Sequence, residues 1–199
     1  LEKRVGLPEG STIVVDRGLA HAENIAELQR RKLHYVVAAR QKERDRYLAE
    51  FEAGDDFEEV IRQPSPRNPS QKKSVVRVKA HSVNHETLVL CISSERAPKD
   101  RAIREKQGAR FLRDWAKVQA RIQNGRLKSD VKIGEAIGRL KERYPRVARY
   151  HSITLNTKTR RLESKPDEET RKVAASLDGS YLLRTDREDV SAEEAWRIY

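Results

Sequence analysis

The chain has 199 residues, of which 37% are hydrophobic and 37% charged, enough for one domain with a real core or one domain with a sizeable insertion, and too rich in Val, Ile and Leu to be disordered throughout. No run approaches the ~20 apolar residues of a membrane span and no apolar leader opens the chain, so the expectation is a soluble, cytoplasmic protein with no membrane partner. The single cysteine, Cys91, excludes a disulfide framework or a cysteine zinc site, and the net charge of +11 points to a polyanionic partner. That charge is local: residues 101–165 hold 19 Lys and Arg against 6 Asp and Glu, and the rest of the chain 23 against 25.

In chain order, TIVV at 12–15 reads as a strand buried on both faces, ending at Asp16, with Gly18 allowing a sharp turn. Residues 22–32 fit a short amphipathic helix around Ile25 and Leu28, and HYVVAA at 34–39 a second strand, giving a βαβ-type opening. Residues 41–61 read as charged helix, with Tyr47, Leu48, Phe51 and Phe57 as its buried stripe. The proline-rich stretch 63–74 is a loop or linker, after which VVRVKAH and ETLVLCIS, separated by SVNH, form an antiparallel hairpin. Cys91, inside that hairpin, is a small core residue.

A long helix is expected over 99–123, with Phe111, Trp115, Val118 and Ile122 as its buried stripe and Asn124-Gly125 as its stop. Beside the stripe, Lys106, Arg110, Arg113, Lys117 and Arg121 recur at the same helical spacing, so one face is apolar and its neighbour strongly basic. Such a face either binds nucleic-acid phosphates or is simply solvated. A further helix over 131–143, a strand at YHSITLNT, a helix at EETRKVAASL and a strand at SYLLRT follow. A last helix is capped by Ser191 with Glu194 three residues on, a capping-box pattern. The chain contains no methionine, opens on Leu1 and closes on AEEAWRIY, which reads as a helix without a stop signal; a piece of a longer protein is expected.

Asp16 is the strongest catalytic candidate, because a carboxylate at the end of a buried strand can meet a divalent ion and a phosphate; the alternative is a plain turn or helix cap. His81 and His85 bracket the hairpin turn without a third ligand, Asp55-Asp56 and Asp186 with Glu188 and Asp189 read as solvated acidic clusters, and Tyr144 and Tyr150 suit either base stacking or the core. No Gly-rich phosphate loop is present.

The run TIVVDRGLAHAENIAELQRRKLHYVVAAR resembles the segment around the second acidic residue of insertion-sequence DDE transposases, whose catalytic domain is ribonuclease-H-like. LDGSYLLRTDREDVSAEEAWRIY resembles the strand and helix leading to that family's third acidic residue, and Tyr199 matches a tyrosine seven positions before the catalytic glutamate. Together the matches cover about a quarter of the chain. They are in the family's order, with the long insertion of the insertion-sequence-four type between them.

The resemblance implies an α/β, incomplete ribonuclease-H-like core over 1–62 and 166–199, interrupted by an inserted α+β segment over 63–165. It implies Asp16 as one of three carboxylate ligands to Mg²⁺ or Mn²⁺, and Tyr199 as a DNA-phosphate contact. Transposon-end and target DNA are the implied partners, with self-association in the complete, nucleoid-associated transposase. Arg17 and Gly18 complete the short motif after Asp16, although Arg17 equally suits a surface ion pair. The first aspartate has no counterpart here: Glu2 and Glu9 lack a strand context. The alternative is a non-catalytic DNA-binding remnant, and a receiver-type phosphoacceptor is a third reading, disfavoured by the proline-rich break and the hairpin.

Overall fold

The computed structural model describes residues 7–64, 66–70 and 72–199, so Glu2 lies outside the described residues. The protein is mixed α/β, and its chain divides into two compact units, Leu1–Ala97 with Gly179–Tyr199, and Pro98–Asp178. The sequence-based boundaries at 63 and 165 therefore differ from the spatial ones.

The first unit is built on a six-stranded mixed sheet. Strand β1 (Thr12–Val15), helix α1 (Ala22–Arg30) and strand β2 (His34–Ala38) form the expected βαβ opening, with β1 and β2 parallel. Helix α1 turns Ile25 inward against Ala20, Tyr35 and Val37, and Lys32, in the left-handed region at φ 53°, returns the chain to β2. Tyr35 through Ala38 are all buried, which accounts for a continuous apolar run rather than an alternating one. Gly18 lies in a short 3-10 turn with open space around it and no positive φ, so glycine is not required there.

Residues 41–61 are not helical throughout. Helix α2 (Gln41–Arg44), a 3-10 turn (Asp45–Tyr47) and helix α3 (Leu48–Ala53) end at Gly54, which takes the left-handed C′ position at φ 68°. Strand β3 (Glu58–Arg62) follows, with Val60 alone buried. Gly54-Asp55-Asp56 stops the helix, and Phe57 reaches Phe51 from beyond it, the rings stacking at 6.3 Å.

Strands β4 (Ser74–Val83) and β5 (Glu86–Ser93) form the expected hairpin. Asn84 and His85 both have positive φ, 47° and 63°, the signature of a two-residue type I′ turn, which matches the twist of the strands. Pairing therefore extends to Val83 and Glu86, beyond the four-residue loop read from the sequence.

Strand β8 (Ser180–Thr185) enters between β2 and β5, antiparallel to both, and completes the order β1-β2-β8-β5-β4-β3. Its entry depends on Gly179: at φ 80°, a Cβ there would lie 2.5 Å from the Ser93 carbonyl oxygen. Helix α8 (Ala192–Ile198) starts with the expected reciprocal Ser191–Glu194 capping box. It lays Ala195 and Trp196 on Val76, Val78, Val89, Cys91 and Leu183, so Cys91 is a core residue as expected.

The second unit joins helices to a small hairpin. Helix α4 (Arg96–Gln123) begins three residues before its expected start, and helix α5 (Asp130–Arg143) and the single turn α6 (Pro145–Ala148) follow. Strands β6 (His151–Asn156) and β7 (Arg161–Pro166) pair antiparallel, and α7 (Glu168–Ser176) is capped by the Asp167 carboxylate. The apolar stripe of α4 is spent on two clusters. Phe111 packs with Leu140, Val147 and Ile153, and Ile122 packs with Leu127, Ile133 and Leu162. Among the described residues no helix is long and apolar enough to cross a membrane.

Candidate nucleic-acid interface

The stripe read on the long helix is present in space. Lys106, Arg110, Arg113, Lys117 and Arg121 are all exposed on α4, and 15 residues of α-helix carry them along ~22 Å. Among the described residues, Lys106, Arg110, Arg113 and Arg121 make no hydrogen bond or ion pair with an acid. Four of the five thus keep their full charge for a partner outside the chain.

The stripe borders a groove of about 350 Å³ between α4 and α5. Val118, Ala136 and Leu140 form its apolar floor, and Lys117, Arg121, Arg139 and Arg143 surround it. Arg139 and Arg143 were not singled out in the sequence. Their signal was there, four residues apart on one face of the next helix, but which helix faces α4 depends on tertiary packing.

Asp114 is the groove's one carboxylate. Lys117 Nζ donates to its Oδ1 at 3.0 Å, and Arg143 and the Tyr144 hydroxyl donate to its Oδ2 at 3.3 and 2.7 Å. The Tyr144 hydroxyl first, and Lys117 next, hold its carboxyl down at about 2, and the same acid raises the pKa of Tyr144. Tyr144 is thus committed to Asp114 and to the Phe111 ring at 6.1 Å, and Tyr150 is buried; neither presents a free stacking face.

Asp16 stands at the end of β1, exposed, with its side chain accepting the Arg17 backbone N–H as the cap of the 3-10 turn. By strand alternation it continues the row of Thr12 and Val14, which is the face of the sheet that α8 covers. Helix α8 runs toward the same end of the sheet. Its Trp196 Nε1 donates at 2.6 Å to the Tyr181 hydroxyl, and Tyr181 is the second residue of β8, whose Leu182 carbonyl accepts from Ala39, just beyond β2. Tyr199 closes that helix, exposed. Asp16 and Tyr199 share a face and an end, but β1 and the strands β5 and β4 under α8 are three to four spacings apart, ~14–19 Å.

A hard divalent ion takes several oxygen ligands. Among the described residues no three His, Cys, Asp or Glu come together as a metal-binding group. The residues described do not by themselves fit the ion that the resemblance implies, and no catalytic step follows from them. His81 packs edge-on against Tyr47 at 5.3 Å, and His85 sits exposed in the hairpin turn. The Arg17 guanidinium makes no ion pair among the described residues, and its Nε is buried without a hydrogen bond.

Asp186 is not a solvated acid. It accepts the Tyr35 N–H at 3.0 Å, contacts His34 Nδ1 at 3.2 Å, and is 18% exposed. On the sheet face under α1 and α2 lies a polar network that the sequence reading missed. Arg184 donates to both oxygens of Glu86 at 2.7 and 2.8 Å and lies 3.4 Å from Glu43, and the Tyr35 hydroxyl also donates to Glu86. Burial, then Glu86, push the Tyr35 phenol well up. Arg184, Glu43 and Glu86 line a crevice of about 420 Å³ with His21 and Arg40, which pair with each other at 2.8 Å. These charges satisfy one another, so the crevice is explained as structure. Comparison with known protein families, with characterised proteins and with solved structures finds no match for this chain.

Proposed function

We propose that this chain belongs to a DDE-type insertion-sequence transposase, and that its helical unit binds DNA through phosphates. The observation that carries the binding is the groove between α4 and α5, with four cations around an apolar floor, continuous with unpaired cations on α4. Neutralising phosphates with such side chains releases condensed counterions, which favours binding without sequence preference. Support for the transposase assignment comes from the sheet. The two segments that carry the resemblance, from opposite ends of the chain, meet as hydrogen-bonded neighbours β2 and β8, and the whole basic segment lies between them in sequence. The parallel β1-α1-β2 opening is compatible with part of a ribonuclease-H-like core.

In this reading Asp16 contributes one carboxylate to a Mg²⁺ or Mn²⁺ site whose other ligands are not among the described residues, and Tyr199 contacts DNA from the same end of the sheet. The second reading, a DNA-binding module without catalysis, is favoured by the engagement of Asp16 as a turn cap. Two measurements test the proposal. Affinity of the full chain for duplex DNA should fall steeply with salt, and a salt-independent or absent interaction would reject it. Supercoiled-plasmid nicking with Mg²⁺ or Mn²⁺ bears on the choice between the readings: nicking that is lost on Asp16→Ala would identify a working catalytic site and reject the module.

A further inference from the structure

Asp114 is oddly placed for a surface that recruits phosphate. Its side chain is only 14% exposed, yet both its oxygens face cations of the groove, Lys117 on one side and Arg143 on the other, which are themselves 67% and 69% exposed. The Tyr144 hydroxyl anchors the carboxylate from the end of α5. A carboxylate and a phosphodiester offer these donors the same thing, a unit negative charge and accepting oxygens. The remaining groove cations differ. Arg121 has no acidic partner among the described residues, and Arg139 reaches only Glu135, at 3.4 Å in an exposed pair that is weak in water.

We propose that Asp114 is a built-in competitor for phosphate, which holds Lys117 and Arg143 in reserve so that DNA engages the unpaired cations Arg113 and Arg121 first. The proposal rests on the reading of this groove as a DNA interface and adds its regulation. A cation already paired with an internal carboxylate neutralises phosphate less fully, so fewer of the counterions condensed on the DNA are released than its charge suggests. The carboxyl is held at about 2 by Tyr144 and Lys117, so it is ionised wherever binding would be measured. The groove is thereby tuned below its capacity.

The test is fluorescence anisotropy of the full chain on a random-sequence DNA duplex between about 50 and 200 mM salt. Asp114→Asn keeps the shape and removes the charge; it should tighten binding and steepen the log–log salt dependence by about 1–2 units, as two cations become available. An unchanged or shallower dependence overturns the proposal. Should that variant fail to stay folded by thermal unfolding, a second comparison decides in the native background. The pair Lys117→Gln with Arg143→Gln should flatten the dependence by less than half as much as the pair Arg113→Gln with Arg121→Gln, and equal losses overturn the proposal. Salt-dependent binding of the unaltered protein, with either overturning result, rejects the competitor role alone. Absence of such binding rejects the DNA interface and this regulation with it.

Discussion

The two units use the same residue types in opposite ways. On the sheet, Arg184 is 23% exposed and clasped by Glu86 and Glu43, whereas Arg110, Arg113 and Arg121 on α4 stand exposed and, among the described residues, make no ion pair. An arginine walled in by strands must be paired, because a buried charge without a partner is costly. An arginine on a solvated helix can wait for an external anion. The +11 net charge is therefore not evenly available to a partner: Arg184 on the sheet face is spent on folding, whereas the stripe cations Lys106, Arg110, Arg113 and Arg121 of the helical unit are not.

Breaking the sheet network is expected to have the largest effect. Arg184→Ala leaves Glu86 and Glu43 without their shared cation, Glu86 keeping only the Tyr35 hydroxyl, and since these carboxylates keep some solvent access the cost should be about 2–3 kcal/mol rather than the full penalty of a buried pair. Urea unfolding measures it, and DNA affinity of the folded fraction should not move. A loss below about 0.5 kcal/mol would place Arg184 with the solvated cations instead.

The mirror experiment is Arg110→Gln, Arg113→Gln and Arg121→Gln together. Stability should stay within about 0.5 kcal/mol, while the log–log salt dependence of DNA binding should flatten by roughly 2–3 units if all three meet phosphate. An unchanged slope would assign the stripe to a merely solvated face.

A smaller effect should come from the cap of α8. Ser191→Ala removes the side-chain half of the capping box, leaving the residue-191 N–H to donate to Glu194, and should cost about 1 kcal/mol in urea unfolding, with no change in DNA binding. The mildest test is acid. Asp114, held near 2 chiefly by Tyr144 and then Lys117, and Asp189, held near 2 chiefly by Arg187, are both depressed below their unfolded values. Their contribution is therefore complete above the unfolded carboxyl pKa of ~3.9 and is lost as the pH falls from there through about 2. Asp114→Asn should remove its share of that acid sensitivity, and an identical pH profile would contradict the assignment.

How much was legible follows from the range of each signal. The capping box, the hairpin, the long helix and the strand HYVVA rest on residues within a few positions of one another and are present as read, the hairpin with a tighter turn and the helix with a start three residues earlier. Strands β3 and β7 were missed. Each buries a single side chain, Val60 in one and Leu162 in the other, so neither carries a readable alternation. Their strand conformation comes from neighbours that supply hydrogen bonds. The candidate interface divides the same way: helical spacing exposed the stripe on α4, but Arg139 and Arg143 join it only because α5 packs against it.

By itself the sequence determined local periodicity, punctuation and charge distribution: where α4 runs, where its cations lie, that Asp16 ends a strand, and that residues 101–165 are basic. Tertiary structure decided which charges are consumed. It paired Arg184 with Glu86 across β8 and β5, turned Asp186 onto the start of β2, and set Asp114 between Lys117 and Arg143. Each of the pairings with Glu86, Asp186 and Arg143 joins residues far apart in the chain. A charge pattern in sequence cannot report on its own neutralisation, because the partner that screens it is selected by strand order and helix packing.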